Sequence, residues 1–461
     1  MANPFRLTEN VPNEPTKMRS SQHDGNRQRR FDVVLESVRR LLKRGAITNV
    51  ANLMTRLHPA DMARVIMHLN TSQEQRTVFE LVENDAQRGE VLSELDGETI
   101  LEVIEERAAS EIAWILQAVP ADDVAYILGV LPEERSQEIL PLMKAKESQE
   151  VAHLMAYPKG TAGSIMTTEF LALLEDTTAK EAIQHLQQET KAETVFYIYA
   201  INQEGRLAGV VSLRELLVVA PTAELKSVLK RDIVTVTVDT DQEEVARQVA
   251  NYNLLAIPVL DDSGRLVGII TVDDIVDVIR EEDTKDMLKM AGAAEEDTFM
   301  HTSSVQAVAL RLPWLFTNLV GSLASGLVMW WYRVAIQEVV AIITFIPVVA
   351  AMGGNVGLQS STLIIRGLAT GRVEASDLWK VLFREMRIGL LLGIICGTLL
   401  TITGWLWLGG AVLGFVVGLS ILVAFLISTS MATVTPLLLK RFHIDPAIAA
   451  GPFITTVMDI T

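Results

Sequence analysis

The sequence predicts a multi-domain chain. An all-α superhelical domain comes first, then an α/β region of two tandem copies of one unit, then an α-helical transmembrane domain of five spans, the last apparently truncated. Three observations predict this. The charge divides into a strongly acidic block and a nearly neutral apolar block. A segment around Gly205 recurs 59 residues later around Gly264. Beyond Pro313 the apolar runs reach the ~20 residues that cross a bilayer as a helix.

Residues 312–461 hold eight Lys/Arg and six Asp/Glu, so the preceding residues hold a net −19 against −17 for the whole chain. A block this acidic repels nucleic acid and favours cations or basic partners. Its charges alternate with apolar residues at helix and strand periods, so it can bury a core. The single cysteine, Cys396, lies in an apolar stretch, which excludes an internal disulfide framework and argues against a cysteine zinc site. Residues 1–30 are polar, lack an apolar h-region and read as a disordered leader without a signal peptide.

Residues 31–156 read as helical. Leu57-His-Pro-Ala-Asp-Met-Ala-Arg and Val119-Pro-Ala-Asp-Asp-Val-Ala-Tyr each place Pro at a first turn, an acid next, then apolar residues at i, i+3, i+4. Shorter units around Leu95-Asp-Gly-Glu-Thr-Ile lie between them, and such repetition predicts a superhelical stack.

Residues 157–283 hold the repeat, with copies at about 166–225 and 229–283. Each copy has an amphipathic helix (around 178–189 and 241–252) and an apolar strand (Val195–Ala200 and Ala256–Leu260). A Gly-Arg hairpin and a second helix follow. This tandem β-α-β-β-α pattern resembles a CBS-domain pair. Such pairs often bind adenine nucleotides, and the resemblance points to Tyr197, Ser212, Arg214, Glu215, Thr271 and Asp274 as candidate ATP contacts. The same hydroxyl-to-acid spacing is also that of a helix capping box.

Residues 284–311 read as a polar helical connector and 312–461 as the membrane domain. Spans are expected near 314–332, 338–357, 388–408 and 411–439, with a fifth from about 446 that has too few residues to cross. Arg366, Arg372, Lys380, Arg384 and Arg387 cluster between spans two and three, and Lys440 and Arg441 follow span four. The positive-inside rule puts both clusters, and by counting spans the acidic half, in the cytosol.

Asp459 stands in the apolar, hydroxyl-rich run Ile454-Thr-Thr-Val-Met-Asp. A charge at membrane depth costs about 2.5–3.5 kcal/mol on insertion scales, so such a residue marks an ion path. The segment Ala350–Ser361 combines glycines with Asn355, Gln359 and two serines. It reads as a broken helix lining a cavity or as close helix packing through small residues. One carboxylate among amides, hydroxyls and carbonyls suits a hard cation that keeps its water, as magnesium does. The absence of His and Cys beside it argues against a transition metal.

The order of these parts resembles the MgtE family of bacterial magnesium channels. So do Gly353-Gly-Asn-Val-Gly-Leu-Gln-Ser, Leu363-Ile-Ile-Arg-Gly-Leu-Ala-Thr and the run from Asp445-Pro-Ala to Asp459. The resemblance covers nearly all the chain from about residue 31. It implies a homodimer in the bacterial cytoplasmic (inner) membrane, with the pore on the two-fold axis. Asp459, Asn355, Gly354 and Thr455 would hold a hydrated Mg2+ there. Leu358 departs from the pattern, standing where a polar residue is usual.

The resemblance further implies a cytosolic magnesium sensor at Glu90, Asp122, Glu243, Asp274, Asp277, Glu282 and Asp286, closing the pore through the connector, or plug, helix. Tyr126, Asn253 and Lys285 stand where acids would be expected. Mg2+ is then both cargo and regulator, ATP a regulatory ligand, and membrane lipid and a second copy of the chain the partners. A carrier coupled to Na+ or H+ is the competing reading, opposed by the scarcity of ionisable residues within the spans. A membrane-anchored sensor would need neither Asp459 nor the 350–361 segment. No P-loop, nucleophile elbow or metal-hydrolase motif supports an enzyme.

Overall fold

The helices of the N-terminal region follow from their caps. A computed structural model describes residues 16–188, 197–290, 304–334, 340–442, 444–449 and 452–460. It contains α1 (Thr16–Lys43), α2 (Ile47–Met54), α3 (Pro59–Met67), α4 (Ser72–Glu80), α5 (Asp85–Ser93), α6 (Gly97–Ile104), α7 (Ala109–Leu116), α8 (Ala121–Val130), α9 (Glu133–Ile139) and α10 (Ala145–Met155). Thr71, Asn84 and Asp96 each accept the backbone N–H three residues on, at 3.2, 2.7 and 2.7 Å. Each such cap is worth about 1 kcal/mol. Pro59 opens α3 as its spacing predicts, whereas Pro120 sits just outside α8. Helix α1 begins at Thr16, inside the stretch expected as a disordered leader; residues 1–15 of that stretch lie outside the described residues.

Cations tie helix ends together. Arg39 donates to the His68 carbonyl, Arg76 Nε to that of Glu102 at 2.6 Å, Arg135 to that of Arg107 and Lys159 Nζ to that of Gly129 at 2.8 Å. Positive groups at helix C-termini satisfy orphan carbonyls and complement the dipole. Met54, Met62, Ile66, Phe79, Ile100 and Leu116 are among the side chains buried beneath.

The repeat folds as two like sheets. In the first, β1 (Ala172–Leu174) pairs parallel with β2 (Tyr197–Ile201), which pairs antiparallel with β3 (Leu207–Ser212). In the second, β4 (Val236–Thr237), β5 (Ala256–Leu260) and β6 (Leu266–Thr271) repeat that order. The helices are α11 (Ala179–Gln188) and α12 (Leu213–Val218) in the first copy, α13 (Gln242–Tyr252) and α14 (Val272–Met290) in the second. Residues 195 and 196 of the expected strand lie outside the described residues.

Asn202 and Asp261 organise the two hairpin turns identically, accepting N–H bonds from residues two and four on, and Gly205 and Gly264 follow at φ of +80° and +78°. The copies also exchange backbone. Thr167, ahead of the first sheet, bonds both ways with Ile269 of β6, and Lys230, ahead of the second, bonds both ways with Val210 of β3. Gly209 and Gly268 permit this. A Cβ on Gly209 would lie 2.9 Å from the Lys230 carbonyl oxygen, and one on Gly268 would lie 3.0 Å from that of Thr167.

The chain forms two compact units. The first runs from the N-terminal helices to Val245 and from Tyr252 to Asp274; the second comprises Ala246–Asn251 and the chain from Ile275 onward. In the second unit, helices α15 (Ser304–Trp331), α16 (Ile346–Ala369), α17 (Leu378–Leu408) and α18 (Ala411–Arg441) are long enough to cross a membrane, with apolar stretches of 25 to 31 residues. The expected fifth span is represented by α19 (Pro452–Ile460), nine residues long. That is about 13 Å of helix, less than half a hydrocarbon core. Residues 291–303 of the expected connector lie outside the described residues.

Helices α17 and α18 pack through glycine. A Cβ on Gly397 would lie 2.7 Å from the Gly418 carbonyl oxygen, and one on Gly404 would lie 2.9 Å from the Gly414 Cα. Small residues let membrane helices approach this closely.

Candidate functional site

The 350–361 segment does not break. Helix α16 runs through it without interruption, which corrects the expectation of a broken helix. The glycines serve packing instead. The Gly353 carbonyl accepts a 2.6 Å bond from Ser428 Oγ, and a Cβ on Gly357 would lie 2.4 Å from that Oγ and 2.6 Å from Ile454 of α19. Gly354 differs, because its missing Cβ would meet nothing within 4 Å. Asn355, Gln359, Thr362 and Arg366 are all exposed and share one face of α16 at spacings of four, three and four.

Asp459 lies on α19, half-buried, with Thr455 exposed one turn earlier. The carboxylate is held from α15: Ser322 Oγ donates to Asp459 Oδ2 at 3.2 Å, and Ser325 Oγ donates to the Asp459 backbone carbonyl. Gly321 makes room for this, since a Cβ there would lie 2.3 Å from Thr456 Cγ2. The contact of Gly357 with Ile454 brings α16 against α19 beside Thr455, so Gly354 and Asn355 lie about one turn from it. Ser322 and Ser325 are absent from the expected set. Their signal is the small-polar run Gly321-Ser322-x-x-Ser325 inside an apolar span.

A second membrane-unit carboxylate also escapes the sequence reading. Glu385 of α17 is 5% exposed and accepts a 3.0 Å bond from Ser360 of α16. Helix α17 begins at Leu378, ten residues before the expected span, and so carries Glu385 into the helical packing.

The sensor candidates divide between the two units. Glu90 and Glu243 are exposed on α5 and α13, while Asp122 and Asp274, both half-buried, begin α8 and α14. Burial pushes the Asp274 carboxyl up to about 6; the Thr271 hydrogen bonds oppose this, and the charges of Asp122 and Asp273 add to it. Burial likewise raises Asp122, with Asp273 contributing and its hydrogen bonds opposing. One Asp122 oxygen is buried with no hydrogen-bond partner among the described residues. Two acids from different domains thus crowd one another.

Asp277, Glu282 and Asp286 lie on the α14 segment belonging to the second unit. Asp277 pairs with Arg280 at 3.1 Å, and Glu282 with Lys285 at 3.0 Å. Lys285 also meets Glu281 at 3.0 Å; burial pulls its pKa down, but the two carboxylates outweigh this and hold it above its ordinary value. At the end of α14, Lys289 pairs with Asp445 at 2.8 Å, and Met290 packs with Ile365 and Ala447. Among the described residues, no three His, Cys, Asp or Glu side chains converge as a metal cage.

The nucleotide candidates are engaged in helix caps. Ser212 and Glu215 form a full capping box at α12, and Thr271 donates to Asp274 from both its N–H, at 3.3 Å, and its hydroxyl, at 2.5 Å. Glu215 also meets Lys230 at 3.1 Å, which with the Ser212 hydroxyl lowers its pKa. Tyr197 is half-buried on the same face of β2 as buried Tyr199, and Arg214 is exposed. The caps explain the hydroxyl-to-acid spacing.

The family model for the MgtE intracellular N domain matches residues 57–160, the CBS domain model matches 162–221 and 225–281, and the MgtE divalent cation transporter model matches 346–461. The magnesium transporter MgtE of Bacillus subtilis is 38% identical over 67% of this chain and 68% of its own length. That of Thermus thermophilus is 37% identical over 67% and 69%. The crystal structure of the cytosolic domain of the Mg2+ channel MgtE in complex with ATP matches at 34% identity, covering 53% of this chain and 99% of that one, with a TM-score of 0.49. With relatives this similar across two thirds of both chains, and three family models in the order read from the sequence, the chain belongs to the MgtE family of divalent cation transporters.

Proposed function

We propose that the chain is a magnesium channel of the bacterial cytoplasmic membrane, working as a homodimer and gated by Mg2+ on the cytosolic side. The observation that carries this reading is the exposed polar face of α16 beside the carboxylate of α19. Asn355, Gln359, Thr362 and Arg366 are too polar to face lipid, and Asp459 is a charge within an otherwise apolar helix. A second copy placed against this face turns it into a lined path with two Asp459 carboxylates. Asn355, Thr455 and the backbone at Gly354 supply neutral oxygen and amide groups around a hydrated ion. Two charges and no cage suit an ion that keeps its water.

Orientation is supported from both ends of the helices. Exposed Arg366, Lys380, Arg384, Arg387, Lys440 and Arg441 lie at one end, against Arg333 at the other. Exposed Trp330, Trp331, Trp405 and Trp407 lie at the opposite ends of α15 and α17.

The crowding of Asp122 and Asp274 supports the sensor, because a divalent ion relieves their repulsion and draws the helical domain to the CBS pair. Glu90, Glu243, Asp277, Glu282 and Asp286 are its further acids. Tyr197 and Arg214, with the capped hydroxyls, make ATP a regulatory ligand. Channel flux is tested in liposomes holding the full chain. Asp459→Ala abolishes Mg2+ entry, and flux equal to the unaltered chain removes the pore assignment. Patch recording with Mg2+ varied on the cytosolic face tests gating: open probability falls as Mg2+ rises, and a flat response removes the sensor.

A further inference from the structure

The junction of α16, α17 and α18 holds a polar node that neither the pore nor the sensor uses. Ser360, Ser361, Glu385, Ser428, Thr429 and Thr433 are all buried there. Ser360 of α16 donates to Glu385 of α17. Helices α17 and α18 run antiparallel: Gly397 meets Gly418, and a Cβ on Gly389 would lie 2.7 Å from Thr429 Oγ1. Glu385, one turn before Gly389, therefore lies opposite the turn Thr429–Thr433. Ser361, next to Ser360, is fully buried, and its Oγ has no partner among the described residues.

The node has the wrong balance for a purely structural network. Among the described residues no Lys, Arg or His pairs with Glu385; its hydrogen bond is the one from Ser360. A buried carboxylate with one hydroxyl donor is costly at a helix junction in a membrane domain. The hydroxyls of Ser360, Thr429 and Thr433 have already spent their protons. Ser360 donates to Glu385, Thr429 to the Phe425 carbonyl at 2.9 Å, and Thr433 to the Thr429 carbonyl at 2.7 Å. What remains on these oxygens is lone pairs, which receive a cation and reject an anion.

The surroundings also limit the ion. One turn from Glu385, a Cβ on Gly389 would meet the Thr429 side chain at 2.7 Å, so the helices leave little room for a hydration shell. Magnesium sheds water reluctantly, and one carboxylate offers it only half the charge it carries. A bare monovalent ion matches both the single charge and the close packing.

We propose that Glu385, Ser360, Ser361 and Thr433 form an internal site for a dehydrated monovalent cation of sodium size, separate from the path through Asp459. The site stands independently of the pore reading, since none of its residues belongs to that path. Its probe is sodium chloride. The full chain in detergent micelles is unfolded by heat in NaCl, KCl or N-methylglucamine chloride at one ionic strength and one Mg2+ concentration. Sodium raises Tm saturably above the other two, and the rise persists in Asp459→Ala. Glu385→Gln abolishes it.

Ser361→Ala is the decisive variant. It removes a hydroxyl that has no partner among the described residues, so a structural role leaves its sodium response unchanged, whereas a ligand role raises the half-saturating sodium concentration about tenfold. Equal Tm in the three salts overturns the site, as does a sodium response left unchanged by Ser361→Ala. Should Glu385→Gln fail to fold, Ser361→Ala decides alone.

Discussion

Acids at the start of α8 and α14 crowd one another, whereas Asp459 and Glu385, packed among the membrane helices, stand among hydroxyls. Asp122, Asp273 and Asp274 repel one another, and burial with that repulsion lifts Asp274 to about 6. Elsewhere in the first unit acids are answered by a cation, as where Arg76 meets Glu102, Glu105 and Glu106. In the membrane unit Asp459 is met by Ser322, and Glu385 by Ser360. The difference is one of charge density. A divalent ion between crowded acids relieves their repulsion, which is what the proposed sensor requires. A lone carboxylate with neutral oxygens holds one charge weakly, which suits an ion that must pass or exchange.

The largest effect that would break this comparison is expected at Asp274. Its folded pKa lies above the ordinary 3.8, so the folded state holds the proton more firmly than the unfolded chain. Stability is then greatest below pH 4, falls as pH rises from about 4 to about 6, and levels above that. The span is on the order of 2–3 kcal/mol with divalent ions chelated. Asp274→Asn keeps an acceptor for the α14 cap and flattens the profile, and added Mg2+ flattens it in the unaltered chain. Hydrogen exchange over α8 and the start of α14 reads this locally. A profile with the same slope in Asp274→Asn would show that the acids do not act as a set.

How much of this could be read from the sequence depends on the range of the contact involved. The caps at Thr71, Asn84 and Asp96 and the turns at Gly205 and Gly264 are local, and local spacing discloses them. The 59-residue repeat gave the two sheets, but the backbone exchange of Thr167 with Ile269 joins residues 102 apart and left no periodic trace. Asp459 stood out because its neighbours are apolar. Glu385 did not, because Arg384 and Arg387 flank it and the group reads as the charged edge of a span; only the early start of α17 places it inside. Gly353, Gly354 and Gly357 suggested a break in a membrane helix. The helix runs on, and Ser428 of α18 and Ile454 of α19 fill the space that Gly357 leaves. Lys289 with Asp445 and Ser322 with Asp459, 156 and 137 residues apart, were beyond any spacing argument.

A smaller effect is expected from the other side of the comparison. Ser322→Ala takes a hydroxyl donor from Asp459 and leaves the carboxylate in place. A hydrogen bond to a charged group is worth about 1.5–3 kcal/mol, so a roughly tenfold or greater change in Mg2+ flux follows if the bond sets the carboxylate's orientation. Ser322→Thr keeps the hydroxyl and restores most of the flux. Selectivity for Mg2+ over larger divalent ions separates orientation from packing, since a packing defect lowers flux for all of them alike. Unaltered flux and selectivity in Ser322→Ala would mean that Asp459 acts without its neighbour on α15.

The smallest effect sharpens the comparison within one helix. Lys285 stands between Glu281 and Glu282 on α14 and makes that turn the opposite of the Asp122–Asp274 pair, acids in company but already neutralised. Lys285→Gln removes the ammonium and leaves two like charges in successive positions. In the absence of divalent ions the helix loses on the order of 0.5 kcal/mol, the scale of i, i+3 and i, i+4 pairs. Millimolar Mg2+ should then restore it, because the turn has become a crowded-acid site; amide exchange over residues 278–290 with and without Mg2+ reads the change. The same exchange rates in both solutions would show that crowding alone does not make a divalent-ion site. The response at Asp122 and Asp274 would then have to come from their burial and from the two domains they join.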